Sequence, residues 1–222
     1  MVWRVVAVAV AGSAEKPCED AAFAASEGDL VVVADGLGST GLGAAASQQV
    51  VGLAEALRTH VHAGAPLGGL GSWVRDCFGA AVEEDPRMAT TALWALATPS
   101  RVVVGRVGDG LVAIKHVGGE VELLEGGRGE FANETAALPR TTPEFLAFHP
   151  AGIDAVLLAT DGVADDLLPG SEGDLLSGFA ALLRREGEAA TEAVLRSWLV
   201  NWATPRSHDD RSVALLVRLE GP

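Results

Sequence analysis

Eight short, valine-rich runs constrain this chain more than any other feature. They read WRVVAVAV, DAAFAAS, DLVVVAD, TALWALAT, RVVVGRVGD, LVAIKHV, AVLLATD and SVALLVRL. Runs of that length and composition favour strands over helices. Several are joined by connections too short for a helical crossover, so those neighbours pair antiparallel. The GDG of residues 108–110 lies between two such runs and predicts a hairpin. Two helical regions interrupt the strands. Residues 43–63 read as one helix, apolar at Val50, Leu53, Ala54 and Leu57 with Glu55 and Arg58 outward. Residues 70–83 read as a second, ending before Pro86. A later pair covers residues 172–185 and 188–202, with Trp198 and Trp202 one turn apart as core anchors. The order is strands, two helices, strands, two helices, strand. It departs from the βαβα rhythm of a doubly wound sheet and predicts an α+β chain: antiparallel sheets with helix pairs on their outer faces. One core suffices for 222 residues, so residues 1–222 read as a single domain. Residues 120–150 read as a long irregular loop, a feature that is often functional.

Charge narrows the partners. The formal net charge is −14, which repels nucleic acid and anionic lipid. No run reaches the ~18 apolar residues that a membrane span needs. The opening MVWRVVAVAVAGSA resembles a signal peptide superficially, but its apolar core is short and suits a first strand better. A soluble, cytoplasmic monomer is expected. Cys18 and Cys77 form neither a disulfide framework nor a zinc pattern.

Three strand-like runs end in Asp-Gly, at Asp35, Asp109 and Asp161, and Asp209-Asp210 opens a fourth. A lone Asp-Gly is an ordinary turn pair. Several at strand ends converge on one rim, where unneutralised carboxylates repel unless protons or divalent cations intervene. Oxygen donors without histidine or thiolate favour Mg²⁺ or Mn²⁺ over zinc. The stretch LVVVADGLGSTGLG also contains a G-x-G-x-x-G at Gly36, Gly38 and Gly41, which raises a dinucleotide site. Its context fails. Asp35 would face the pyrophosphate, and Glu55, at the ~20-residue spacing of the ribose-binding acid, lies in a helical run.

In order along nearly the whole chain, these motifs resemble the metal-dependent protein Ser/Thr phosphatases (the PPM, or type 2C, family). KPCEDAAF is similar to that family's Glu-Asp motif, VVVADGLGSTGLGAAAS to its Asp-Gly loop and helix, and MATTALWAL to its Gly-Ser-Thr-Ala strand start. GRVGDG, LLATDGVADDL and DDRSVALLV resemble its later aspartate motifs; GSAEKPCED and GRGEFANET resemble its compact bacterial branch. The resemblance implies a four-layer α-β-β-α sandwich. It implies hydrolysis of phosphoserine or phosphothreonine by a water bridging two Mn²⁺ or Mg²⁺ ions. By position, Asp35 bridges both ions with Gly36 offering its carbonyl, and Asp161 and Asp209 complete the first site. Glu19 serves the second with Asp20 beside it, and Asp109 and Asp165 match an additional, weaker third site. The resemblance also implies a phosphoprotein substrate and a cognate Ser/Thr kinase. Two positions depart from the pattern. Leu37 stands where eukaryotic members carry a candidate acid histidine, and Lys16, the only cation where a phosphate-binding arginine is usual, takes the phosphate-binding role as a point charge without the arginine's fork. The alternative is a catalytically weakened module on the same fold that regulates or binds phosphopeptides.

Overall fold

The computed structural model describes residues 1–38, 41–83, 85, 87–124, 135–202 and 208–219. Among them, ten strands form two five-stranded sheets, antiparallel throughout. The first sheet runs β1 (Val2–Val10), β10 (Arg211–Leu219), β9 (Ile153–Ala159), β6 (Leu111–His116), β7 (Val121–Leu124). The second runs β2 (Asp20–Ala24), β3 (Leu30–Asp35), β4 (Ala92–Ala97), β5 (Val102–Val107), β8 (Glu144–Phe148).

Alternation along the strands builds three apolar layers. Val31, Val33, Leu93, Ala95, Val156, Leu158, Ala214 and Leu216 meet between the sheets. Leu30, Val32, Trp94 and Leu96 face the other way, against α1 (Gly43–Gly52), α2 (Ala54–His62) and α3 (Leu67–Ala81). Ala155, Leu157, Val213 and Leu215 face α5 (Glu172–Glu186) and α6 (Glu188–Val200), with the single turn α4 (Asp161–Ala164) at one end. The result is the expected α-β-β-α sandwich. Among the described residues no helix is long and apolar enough to cross a membrane.

The structure corrects three expectations. The first is the single helix over residues 43–63, which breaks at Leu53 into α1 and α2. Gly52 weakens helix continuation there, and both pieces still bury an apolar face. Secondly, the GDG of residues 108–110 is not a hairpin. Both edges of β5 are already paired, to β4 and β8, so the chain crosses to the other sheet and β6 pairs with β9 and β7. Thirdly, residues 120–150 contain β7 and β8. These are edge strands with little burial, so alternation barely marks them in sequence. Residues 125–134, the middle of that segment, lie outside the described residues.

Helix α3 packs so closely beside β8 that a Cβ at Gly71 would lie 2.1 Å from the Pro143 carbonyl oxygen. Backbone cannot yield as a side-chain tip does. Gly71→Ala is therefore expected to cost about 1–3 kcal/mol, as overpacking does. Thermal denaturation should show a Tm lowered by roughly 2–4 °C per kcal/mol; an unchanged Tm would contradict this packing.

Candidate active site

The strand alternation that fills the inter-sheet core also aims its last residues. Val31 and Val33 point between the sheets, so Asp35, two residues on, points there too, at the open rim. Strand β2 pairs with β3 so that Asp20 stands directly opposite Asp35. Like charges in that relation repel. Asp20 therefore favours the protonated form of Asp35.

Asp20 is only 4% exposed, and the other sheet holds it. Thr160, just after β9, donates its hydroxyl to Asp20 Oδ2 at 2.7 Å. Ser212 of β10 donates its N–H and hydroxyl to Thr160 Oγ1 at 3.0 and 3.2 Å and so holds Thr160 against Asp20. A buried polar seam thus ties the sheets together beneath the rim. Burial pushes the Asp20 carboxyl up to about 7; the two hydroxyls oppose that, and Asp210 and Asp161 add to it. Burial, then the charges of Asp20 and Asp161, pushes Asp35 to about 9. Burial, then Asp109, pushes Asp161 to about 6, with Asp209 and Asp165 contributing and the Gly162 N–H opposing. Asp20, Asp35, Asp109, Asp161, Asp165, Asp209 and Asp210 thus form one electrostatically connected group drawn from both sheets.

Each arrives differently. Asp109 sits in the crossover from β5 to β6, with Thr135 donating to its Oδ2 at 3.3 Å. Asp161 opens α4 and accepts the Gly162 N–H at 2.7 Å. Asp165 is exposed at the end of that turn. Asp209 and Asp210 precede β10 and face different ways. Asp209 acts on Asp161. Asp210 accepts the Gly12 N–H at 2.7 Å through one oxygen and the Glu19 N–H through the other, and so clamps the connection between β1 and β2.

Glu19 explains the glycine-rich loop. A Cβ on Gly38 would lie 2.3 Å from Glu19 Oε2, and one on Gly43 2.7 Å from Oε1 and from the Gly36 carbonyl oxygen. The glycines make room for a carboxylate rather than for a pyrophosphate. The Gly36 N–H is bonded to the Glu19 carbonyl at 3.1 Å, and Leu37 is pinned through its N–H to Ala89 at 2.9 Å. Lys16 is exposed in the β1–β2 connection and forms no ion pair with the cluster among the described residues.

The protein phosphatase 2C family model matches residues 11–200. The chain belongs to the protein phosphatase 2C family. No curated protein matches it at a significant level. Solved structures do. The catalytic domain of the serine/threonine protein phosphatase PstP, in complex with two manganese ions, is 21% identical over 99% of both chains, with a TM-score of 0.70. Stp1 from Staphylococcus aureus is 19% identical over 100% of this chain and 96% of its own, TM-score 0.65. PstP/Ppp of Mycobacterium tuberculosis is 19% identical over 99% of this chain and 100% of its own, TM-score 0.66. At such identities the likeness speaks for the fold, and family membership places this phosphatase among the protein serine/threonine phosphatases.

The phosphatase's rim suits a hard divalent cation by donor chemistry, since it offers carboxylate and carbonyl oxygens in a field that resists further negative charge. Side chains would have to turn to enclose one. Among the described residues no three acidic, histidine or cysteine side chains close around one point as they stand, and Asp161 is directed at the Gly162 N–H.

Two functional groups escaped the sequence reading. Thr160 and Ser212 meet Asp20 across 140 and 192 residues of chain, a separation at which local pattern carries no signal. Their one trace is position: each is the small polar residue beside an aspartate motif at a strand end.

The raised carboxyls set the pH dependence of the chelator-treated phosphatase. An unfolded Asp titrates near 3.9, whereas folded Asp35 holds its proton to about 9. Between those values the folded state binds more protons than the unfolded, so stability falls as pH rises. The Tm in chelator is expected to decline from mildly acidic pH to about pH 9, and to decline less in Asp35→Asn. A Tm that rises with pH over that window would contradict the assignment.

Proposed function

We propose that this phosphatase hydrolyses phosphoserine and phosphothreonine in proteins, using divalent cations of the Mn²⁺ or Mg²⁺ type. The observation that carries this reading is the cluster of mutually raised carboxylates where strand ends of both sheets meet. Asp35 would be the shared ligand, with the Gly36 carbonyl beside it. Asp161 and Asp209 would complete one ion's carboxylates, Glu19 would serve the second through water with Asp20 beside it, and Asp109 and Asp165 a weaker third. The two manganese ions of the PstP complex support this class and number. When bound, such ions supply Lewis acidity and lower the pKa of water.

The chain's own residues divide the remaining work. Asp35 gives up its proton to become a ligand. Thr160 and Ser212 fix the Asp20 carboxyl, leaving Asp35 as the member of the pair nearer solvent. Asp210 fixes the Glu19 backbone. Ser212 and Thr160 are buried and engaged, so neither is placed as a nucleophile. Water is the attacking species in this reading, and with Leu37 in place of a histidine, solvent protonates the leaving oxygen. A phosphoprotein and its Ser/Thr kinase are the partners proposed, in the cytoplasm.

The test is hydrolysis of an aryl phosphate and of a phosphothreonine peptide with Mn²⁺. Turnover is expected with Mn²⁺ and its loss with chelator. Asp35→Asn is expected to lower kcat by orders of magnitude while circular dichroism stays unchanged. Wild-type kcat in that variant would refute the shared-ligand role. Tight phosphopeptide binding without turnover by the wild type would favour the regulatory alternative.

A further inference from the structure

Arg106 is a cation that the proposed chemistry leaves unused. It lies on β5, two residues after Val104, whose side chain faces between the sheets; alternation turns Arg106 to the same side. Its side chain is 20% exposed, and its one ion pair among the described residues is a long contact of 3.5 Å from Nη2 to Oε2 of Glu144, itself 76% exposed. Such an exposed pair is weak. The other terminal nitrogen, Nη1, is buried and has no hydrogen-bond partner among the described residues. A buried guanidinium N–H without an acceptor is costly. In a chain of net charge −14, a cation so placed points to an anion arriving from outside.

Space for one is present. A cavity of about 140 Å³ is lined by Arg106, Val107, Gly108, Thr141, Thr142 and Glu144. Gly108 adjoins Asp109 of the candidate active site. Thr142 Oγ1 already accepts from Arg75 Nη1 at 2.9 Å, so its own proton is available to donate. Arg106 and Glu144 also line a second space, together with Val104, Leu123, Leu124 and Leu146.

We infer that the Arg106 cavity receives a carboxylate side chain of the substrate, from a residue close to the phosphoserine or phosphothreonine in sequence. This rests on the phosphatase reading. Extended peptide advances about 3.3 Å per residue, so a cavity beside the Asp109 turn suits a residue a few positions from the phosphorylated one. The guanidinium fork matches a carboxylate in a way that a lysine does not. Arg106 is thus a specificity residue.

The test uses two phosphothreonine peptides, one with glutamates on both flanks and one with glutamines, and the full-length phosphatase with Mn²⁺. Wild type is expected to prefer the glutamate peptide by about tenfold in kcat/KM, the worth of one charge-assisted hydrogen bond, with the difference in KM. Arg106→Met should abolish the preference and Arg106→Lys should restore part of it. Glu144→Gln, at an exposed position, removes the competing carboxylate and should raise the preference; it tests the inference even where Arg106→Met folds poorly. Equal kcat/KM for both peptides in wild type, or a preference that Arg106→Met retains, overturns the inference and leaves the phosphatase reading standing. Turnover of neither peptide overturns both.

Discussion

Two carboxyls placed opposite each other on adjacent strands are the constraint on which the rest of this structure depends. Register alone sets Asp20 against Asp35, and a folded chain accepts such a pair only where something offsets its repulsion. Below it, the second sheet supplies Thr160 and Ser212. Within it, burial and the charges of Asp20 and Asp161 hold the proton on Asp35 up to about pH 9. The two β-sheets are therefore joined at this end by polar contacts, and along the rest of their length by Val, Leu and Ala. The rim is the least neutralised part of an otherwise ordinary sandwich.

That arrangement explains local features that look unrelated in sequence. Gly38 and Gly43 leave room for the Glu19 carboxylate, and Gly36 lets the chain pass against the Gly43 backbone. Asp210 commits its oxygens to backbone N–H groups of the facing connection, while its neighbour Asp209 adds to the field at Asp161. The turn at residues 108–110 does not close a hairpin; it carries Asp109 from one sheet to the other. Carboxylates reach one rim from both sheets because the chain changes sheets there.

Features set by short-range pattern were legible in the sequence. Valine-rich runs marked the buried strands because both faces of those strands are covered. Asp-Gly pairs at their ends marked Asp35, Asp109 and Asp161, since strand ends of stacked sheets must converge. Strands β7 and β8 escaped because sheet edges bury little, and the break at Leu53 escaped because both half-helices keep one apolar stripe. The Asp20–Thr160–Ser212 seam is set by tertiary register, which no local window contains. Arg106 illustrates the converse: within GRVGDG it reads as an ordinary strand residue, and only the unpartnered buried nitrogen and the cavity beside it distinguish it.

Rim carboxyls that hold protons must release them when a divalent cation takes their place. Calorimetric titration with Mn²⁺ in buffers of different ionisation enthalpy counts those protons directly. At neutral pH, with Asp35 titrating near 9 and Asp20 near 7, binding is predicted to release about one proton or more per chain, and fewer in Asp35→Asn. Mn²⁺ binding without proton release, or release unaltered by Asp35→Asn, would contradict it.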